Sequence, residues 1–507
     1  MKINRREVVK SLAAALWPNL GTGWARSAQP ASGPPGKRPN ILLMIADDWG
    51  RGHAGAYGAK WLQTPTFDRV AREGVLFTNC FTSNPKCSPS RATILTGRNS
   101  WQLKEAVNHY SIFPNEFPVY PDLLEKAGYH VGMTGKGWGP GDYQSTGWPH
   151  NPAGREYQKR RLKPPYQGIS NVDYAGNFED FLAARPKGAP FCFWLGTQEP
   201  HRVYEPGSGE RAGRSLADVV LPKYYPDHRV IRSDMLDYAL EVEWMDQQFG
   251  KVLAHLERIG ELDHTLVVIT SDHGMPFPRV KGQIYEDGFH VPLAVRWGQG
   301  FQGGRQVEDF INFRDLAPTF LEAAGLKPAP SMTGKSFLDV LKSNRSGIVD
   351  ASRDFMLIGK ERHDLGRPND QGYPVRAIRT RDFLYVRNYE PDRWPVGNPE
   401  TGYRNCDPSP TKDFLTSRFD EYYRLSFGKR PAEELYDLKS DPECLRNLAA
   451  NLKYADIKRK LQAKMNETLR AEGDPRALGQ AEFFDTIQYT GPRHHAYDEW
   501  LKYQKAQ

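Results

Sequence analysis

The chain has 507 residues, 39% of them hydrophobic and 12% aromatic. That is enough apolar side chain for a packed core and too much for a disordered chain, and the length suggests one large domain with a smaller second one. The net charge is +7, and Lys2, Arg5, Arg6, Lys10 and Arg26 place much of it at the start, so the remainder carries no basic footprint for nucleic acid.

In chain order, Asn4 to Lys10 is a charged stretch, Leu12 to Trp17 a short apolar run, and small residues follow near Ala25 and Ala28. This is the layout of an export leader over 1–28. Its paired arginines resemble a twin-arginine signal, from which Asn4 and Val8 depart. The run is shorter than the roughly 20 residues needed to span a bilayer, and no later segment is apolar enough to do so. The expected location is the periplasm or the exterior. Residues 29–38, rich in Pro, Gly and Ser, read as a linker.

A continuous apolar run, Asn40 to Ala46, suits a strand buried on both faces and ends at Asp47-Asp48. Thr66 to Gly74 and Asp122 to Gly128 read as helices closed by glycine, and the latter feeds a strand from Tyr129 to Met133. Phe191 to Leu195 is another buried strand, followed by Pro200-His201-Arg202. From Tyr238, apolar residues recur at helical spacing as far as Gly260. Leu266 to Thr270 is the next strand and delivers Ser271-Asp272-His273-Gly274. Alternating strands and helices predict an α/β fold with a doubly wound, mainly parallel sheet over 39–343. After about Ser343 the segments become shorter and more polar. A smaller C-terminal α+β domain is expected over 344–507, with a strand at Phe383 to Val386 and a closing helix from Tyr454 to Arg470.

Five cysteines, Cys80, Cys87, Cys192, Cys406 and Cys444, are too few for a disulfide scaffold, and their odd number leaves at least one outside any pairing. Cys87 opens Cys87-Ser88-Pro89-Ser90-Arg91 and the trailing Thr96-Gly97-Arg98. The whole motif resembles the signature of the formylglycine-dependent sulfatases, in which this cysteine is oxidised to an aldehyde. The resemblance implies an alkaline-phosphatase-like fold, a formylglycine-generating enzyme as maturation partner and a sulfated saccharide as substrate. A hydrated aldehyde carries two hydroxyls on one carbon: one attacks sulfur and the other later helps expel sulfate. Arg91 brings fixed donors and permanent charge. Ser90-Arg91 are expected to open a helix whose N-terminus favours an anion.

Asp47, Asp48 and Asp272 end two strands at one sheet edge, where three carboxylates would repel without a cation, and oxygen ligands suit calcium or magnesium. Asp47-Asp48 alone would equally suit a helix cap. The resemblance implies Ca2+ held by Asp47, Asp48, Asp272, His273 and the modified Cys87. Asn is commoner in the family at the position of His273. Lys136, in a Gly-Lys turn, and Lys281 resemble the family's sulfate-binding cations, and His201 resembles its general acid. The family's histidine just after this lysine is missing, and Trp138 follows instead. Met275-Pro276-Phe277-Pro278 is closest to the heparan N-sulfatase (sulfamidase) branch, which acts on N-sulfoglucosamine. His363, in Arg362-His363-Asp364, is similar in position to a histidine of that branch and is a candidate to read the sugar. Trp138 and Tyr204 are candidates to stack on it. An O-sulfatase of another polysaccharide, a phosphonate or phosphate ester hydrolase of the same superfamily, and a non-catalytic sulfoglycan-binding protein are the alternatives. The last fits poorly with the presence of Cys87, Arg91, Lys136 and the acidic residues.

Overall fold

Asn40–Ala46 forms strand β1, and all seven of its residues are buried in a computed structural model of the chain. The structure describes residues 38–492 and 496–506. The expected leader, 1–28, and residues 29–37 lie outside the described residues.

The other strands of the main sheet are β2 (Val75–Phe81), β4 (His130–Gly135), β6 (Phe191–Gly196), β7 (Thr265–Ser271), β8 (His290–Arg296), β9 (Arg305–Val307) and β10 (Ile311–Asn312). Their order is β10-β2-β8-β7-β1-β6-β4, with β9 also on β2. All pairs are parallel except the two made by β8, which runs antiparallel to β2 and β7. Side chains alternate across β1. Leu42 and Met44 pack on one face with Tyr238, Val242, Met245 and Phe249, and Ile41, Leu43 and Ile45 on the other with Ile94, Leu95 and Phe320. A strand with no polar face needs both faces covered, as the apolar run predicts. Two short strands, β3 (Ser111–Ile112) and β5 (Gly141–Asp142), pair separately.

The helix expected from Tyr238 starts nine residues earlier and spans Arg229–Arg258. Ile231, Met235 and Leu236 extend its buried face, and the His228 side chain accepts the Val230 N–H at its start.

The C-terminal part builds a four-stranded antiparallel sheet from β11 (Phe355–Lys360), β12 (Val375–Thr380), β13 (Phe383–Asn388) and β14 (Glu433–Asp437). The helix Ala455–Ala471 covers one face through Leu461, Met465 and Leu469. Phe81, Tyr285 and Phe289 cover the other. The chain between β13 and β14 does not stay on this sheet. Val396, Tyr403, Cys406, Leu415 and Phe427 return to the main core. All five cysteines are buried and unpaired. No helix among the described residues is long and apolar enough to cross a membrane.

Buried ion pairs tie these parts together. Arg376 is bidentate to Asp474, with two contacts of 2.9 Å, and lies 2.8 Å from Glu361. Arg376→Ala leaves the buried Asp474 carboxylate without a cation, while Glu361 keeps Arg476 at 2.6 and 3.1 Å, and the expected loss is about 3–5 kcal/mol, read by urea unfolding. Arg379 binds Glu286 at 3.0 and 3.2 Å. Burial alone would raise the Glu286 carboxyl, but Arg379 and His290 outweigh it and hold it down to about 2. Its folded value lies below its unfolded one, so this stabilisation is complete above about 4.5 and fades as pH falls from there toward about 2. The stability gap between the wild type and Glu286→Gln is therefore expected to narrow over that window, measured by unfolding at each pH.

Candidate active site

The carboxyl ends of β1, β7, β6 and β4 meet at a cleft of about 740 Å³. The register pairs Ala46 with Ser271, so Asp47-Asp48 and Asp272-His273 emerge side by side. The Asp272 N–H donates to Ala46 O at 3.1 Å, and the Asp48 N–H donates to Asp272 Oδ1 at 3.1 Å. Lys136 leaves the end of β4, where Gly135 has φ +72° and a Cβ would lie 1.8 Å from Gly196 O. Only glycine fits that turn.

The helix Cys87–Thr96 begins at the cysteine, not at Ser90, and all ten of its residues are buried. Pro89 sits in its first turn, where no intrahelical donor is lost. Ser90 Oγ donates to Asp272 O at 2.6 Å, docking the helix on the end of β7. Arg91 donates through Nε to Asp272 Oδ2 at 2.9 Å and through Nη1 to the carbonyls of Lys136 and Gly137 at 2.6 and 3.0 Å. Its Nη2 lies 3.5 Å from Asp47 Oδ1. One guanidinium thus spans the ends of β1, β4 and β7.

Cys87 Sγ lies 3.4 Å from Asp47 Oδ1 and 3.4 Å from His273 Nε2. Burial, reinforced by Asp47, pushes its thiol far above the usual range, so the unmodified side chain is protonated and a poor nucleophile. Burial lowers the His273 imidazole, which is therefore neutral. Its Nδ1 lies 3.0 Å from Gly274 O. A proton on Nδ1 leaves the lone pair of Nε2 facing Asp48 Oδ1 at 3.0 Å and Asp272 Oδ1 at 3.6 Å. Atoms of Asp47, Asp48, Cys87 and His273 all lie within 4.8 Å of one another. Carboxylates, sulfur and a lone pair converge here, and a histidine anchored through its other nitrogen to a carbonyl is how metal-binding imidazoles are held. The donor set fits a divalent cation. Asp272, expected as a ligand, lies against this group with one oxygen committed to Arg91.

Cations ring the cluster. Lys136 Nζ lies 2.5 Å from Asp47 Oδ2. Lys281 Nζ bridges Asp48 Oδ2 at 2.6 Å and Asp407 Oδ2 at 2.8 Å. Burial would raise Asp47 and Asp407, but Lys136 in the first case and Lys281 in the second dominate, and both carboxyls are held below the usual range. His201 Nδ1 contacts Arg202 O at 2.5 Å. Its Nε2 lies 3.8 Å from Asp48 Oδ2, and the side chain is about one-third exposed in the cleft.

Three expected sugar-binding residues are not in the cleft. Trp138 is buried, with its ring edge-on to Phe113 at 4.9 Å between centroids, because the apolar indole packs into the core beneath the turn. His363 is buried with Nε2 2.8 Å from Asn84 Oδ1. Tyr204 is likewise buried and donates to Pro200 O. The neighbour of His363, Asp364, faces the cleft instead. Asp364 binds Lys86 Nζ at 2.7 Å and His109 Nδ1 at 2.6 Å. Lys86, His109, Arg404 and Asp407 also line the cleft, and residue type and spacing did not single them out. Lys86 directly precedes Cys87, a position that could have marked it. Asp407 and Arg404 lie in an aperiodic stretch with no signal.

A family model described as Sulfatase matches residues 39–326. Human N-sulphoglucosamine sulphohydrolase is 30% identical over 487 residues, covering 86% of this chain and 91% of that protein. An ulvan-active sulfatase of Formosa agariphila is 27% identical, covering 89% of this chain and 78% of its own. A solved structure in complex with its substrate D-glucosamine-2-N,6-O-disulfate superposes with a TM-score of 0.64 at 23% identity, covering 86% of this chain and 99% of that one. On the family match and the human relative, this chain belongs to the sulfatases, hydrolases of sulfate esters and sulfamates.

Proposed function

We propose that the cleft removes sulfate from a sulfated sugar, with Cys87 converted to formylglycine and Ca2+ held by Asp47, Asp48, Asp272 and His273. The observation that carries this reading is the pairing of two opposite environments around Cys87. Acceptor atoms of Asp47, Asp48 and His273 converge with Cys87 on one side, and Lys136 and Lys281 line the open side. The bound cation would offset the charge of the carboxylates and of a sulfate oxygen. Converted Cys87 would supply a hydroxyl nucleophile in place of a thiol held protonated. Arg91 fixes the start of the nucleophile's helix against the metal-binding strand ends. Lys136 and Lys281 bind the sulfate oxygens and stabilise the charge that builds as the bond to the sugar breaks. His201, its Nδ1 proton committed to Arg202 O, presents Nε2 to carry a proton to the departing sugar atom.

N-sulfoglucosamine is the substrate favoured by the human relative, whose match spans most of both chains. Ester sulfate on an algal polysaccharide is the second reading, favoured by the ulvan-active relative. Export through the leader at 1–28 and maturation by a formylglycine-generating enzyme complete the proposal.

Protein co-expressed with such an enzyme is expected to release sulfate from N-sulfoglucosamine, and Cys87→Ala is expected to release none. Ion chromatography against an O-sulfated glucosamine and an ulvan oligosaccharide decides the linkage. Release from the esters alone would discard the sulfamate reading and keep the chemistry. Metal binding has a readout besides turnover. Calcium returned to chelated protein at about one hundred times its Kd is expected to add about 2.7 kcal/mol of stability. Asp48→Asn should abolish that gain in thermal melts, and an equal gain in the variant would place the ion elsewhere.

A further inference from the structure

Asp407 comes from the C-terminal segment that threads back to the main core, and nothing in the catalytic roles above uses its second oxygen. Its Oδ2 is buried against Lys281. The side chain is nevertheless 24% exposed, and it lines the cleft together with Cys87 and His201. No hydrogen bond reaches Oδ1 among the described residues. Atoms of Asp48, His201 and Asp407 lie within 4.8 Å of one another, but this triangle is not a second metal site. The Lys281 ammonium already bridges its two carboxylates and supplies the positive charge that an ion would.

A carboxylate is an acceptor only. Its place beside His201 determines what it can accept from. With His201 as proton donor, the sugar atom that leaves sulfate would lie against Nε2, and substituents on the adjoining ring carbons would fall against the residues that flank His201. On the C-terminal side that flank is Asp407. We propose that Asp407 Oδ1 accepts a hydrogen bond from a hydroxyl or amine on the ring carbon next to the one bearing the sulfate, and so selects sugars with a free donor there. The assignment rests on the sulfatase reading of the cleft and adds to it the residue that reads the neighbouring position. Lys281 plays a separate part, holding Oδ2 and thereby turning Oδ1 toward the sugar.

The test pairs two substrates with two variants. For N-sulfoglucosamine the pair is the parent sugar and its 3-deoxy analogue, and for an O-sulfated substrate the corresponding deoxy analogue is used. The wild type is expected to prefer the parent by about 10- to 100-fold in kcat/KM, the range for a hydrogen bond to a charged group. Asp407→Ala should bring the ratio close to one, and Asp407→Asn, which keeps a neutral acceptor, should fall between. The ratio does not depend on the fraction of protein that folds, and it isolates the contact as a double-mutant cycle does. A common drop for both sugars, with the ratio intact, would mean that Asp407 only holds Lys281 and would overturn the proposal. Sulfate release that requires Cys87 but shows no preference in the wild type would overturn it too and leave the sulfatase reading in place. No release from either sugar by protein with converted Cys87 would overturn both.

Discussion

Three carboxylates, Asp47, Asp48 and Asp272, are buried together where two parallel strands end, and their mutual repulsion governs what surrounds them. Isolated, such charges would be prohibitive in a site this dry. The structure answers with Arg91, fully buried and bonded to Asp272, and with Lys136 and Lys281 on Asp47 and Asp48. Arg91 also takes the carbonyls of Lys136 and Gly137, so one side chain fixes the spacing of three strand ends. The Cys87 helix is held by the same contacts. The position of Cys87 and the charge balance are therefore one problem with one solution.

Two of the lysines that line the cleft are restrained by a carboxylate from the C-terminal part. Lys281 is held by Asp407 and Lys86 by Asp364. Without that part Lys86 would lose its carboxylate partner and Lys281 would keep only Asp48, each on a flexible four-carbon stem. The return of the segment around Tyr403 and Cys406 into the main core pins Asp407, and Asp364 arrives on the connection from β11 to β12. This gives the second sheet a role at the site without placing any of its strands there.

The elements most legible in the sequence are those whose apolar pattern has a single interpretation. β1, β6 and β7 are unbroken apolar runs, and a run with no polar face can only be buried on both sides. The same logic puts Asp47-Asp48 and Asp272-His273 at one edge, because parallel strands share a carboxyl end. Trp138, His363 and Tyr204 are not legible in this way. Their chemistry suits a sugar, while their direction depends on backbone geometry that residue type does not encode. Asp364 replaces His363 by a difference of one residue.

The Cys87 motif, the acidic strand ends and Lys136 in its Gly-Lys turn are local patterns of residue type and spacing, readable before any fold is known. The company those residues keep is set by the packing of distant segments. The contacts of Lys281 with Asp407 and of Lys86 with Asp364 join positions more than a hundred residues apart, in segments without periodicity. The first follows from how the chain between β13 and β14 packs on the main core, the second from the path of the chain between β11 and β12, and both are properties of the whole fold that no local pattern carries.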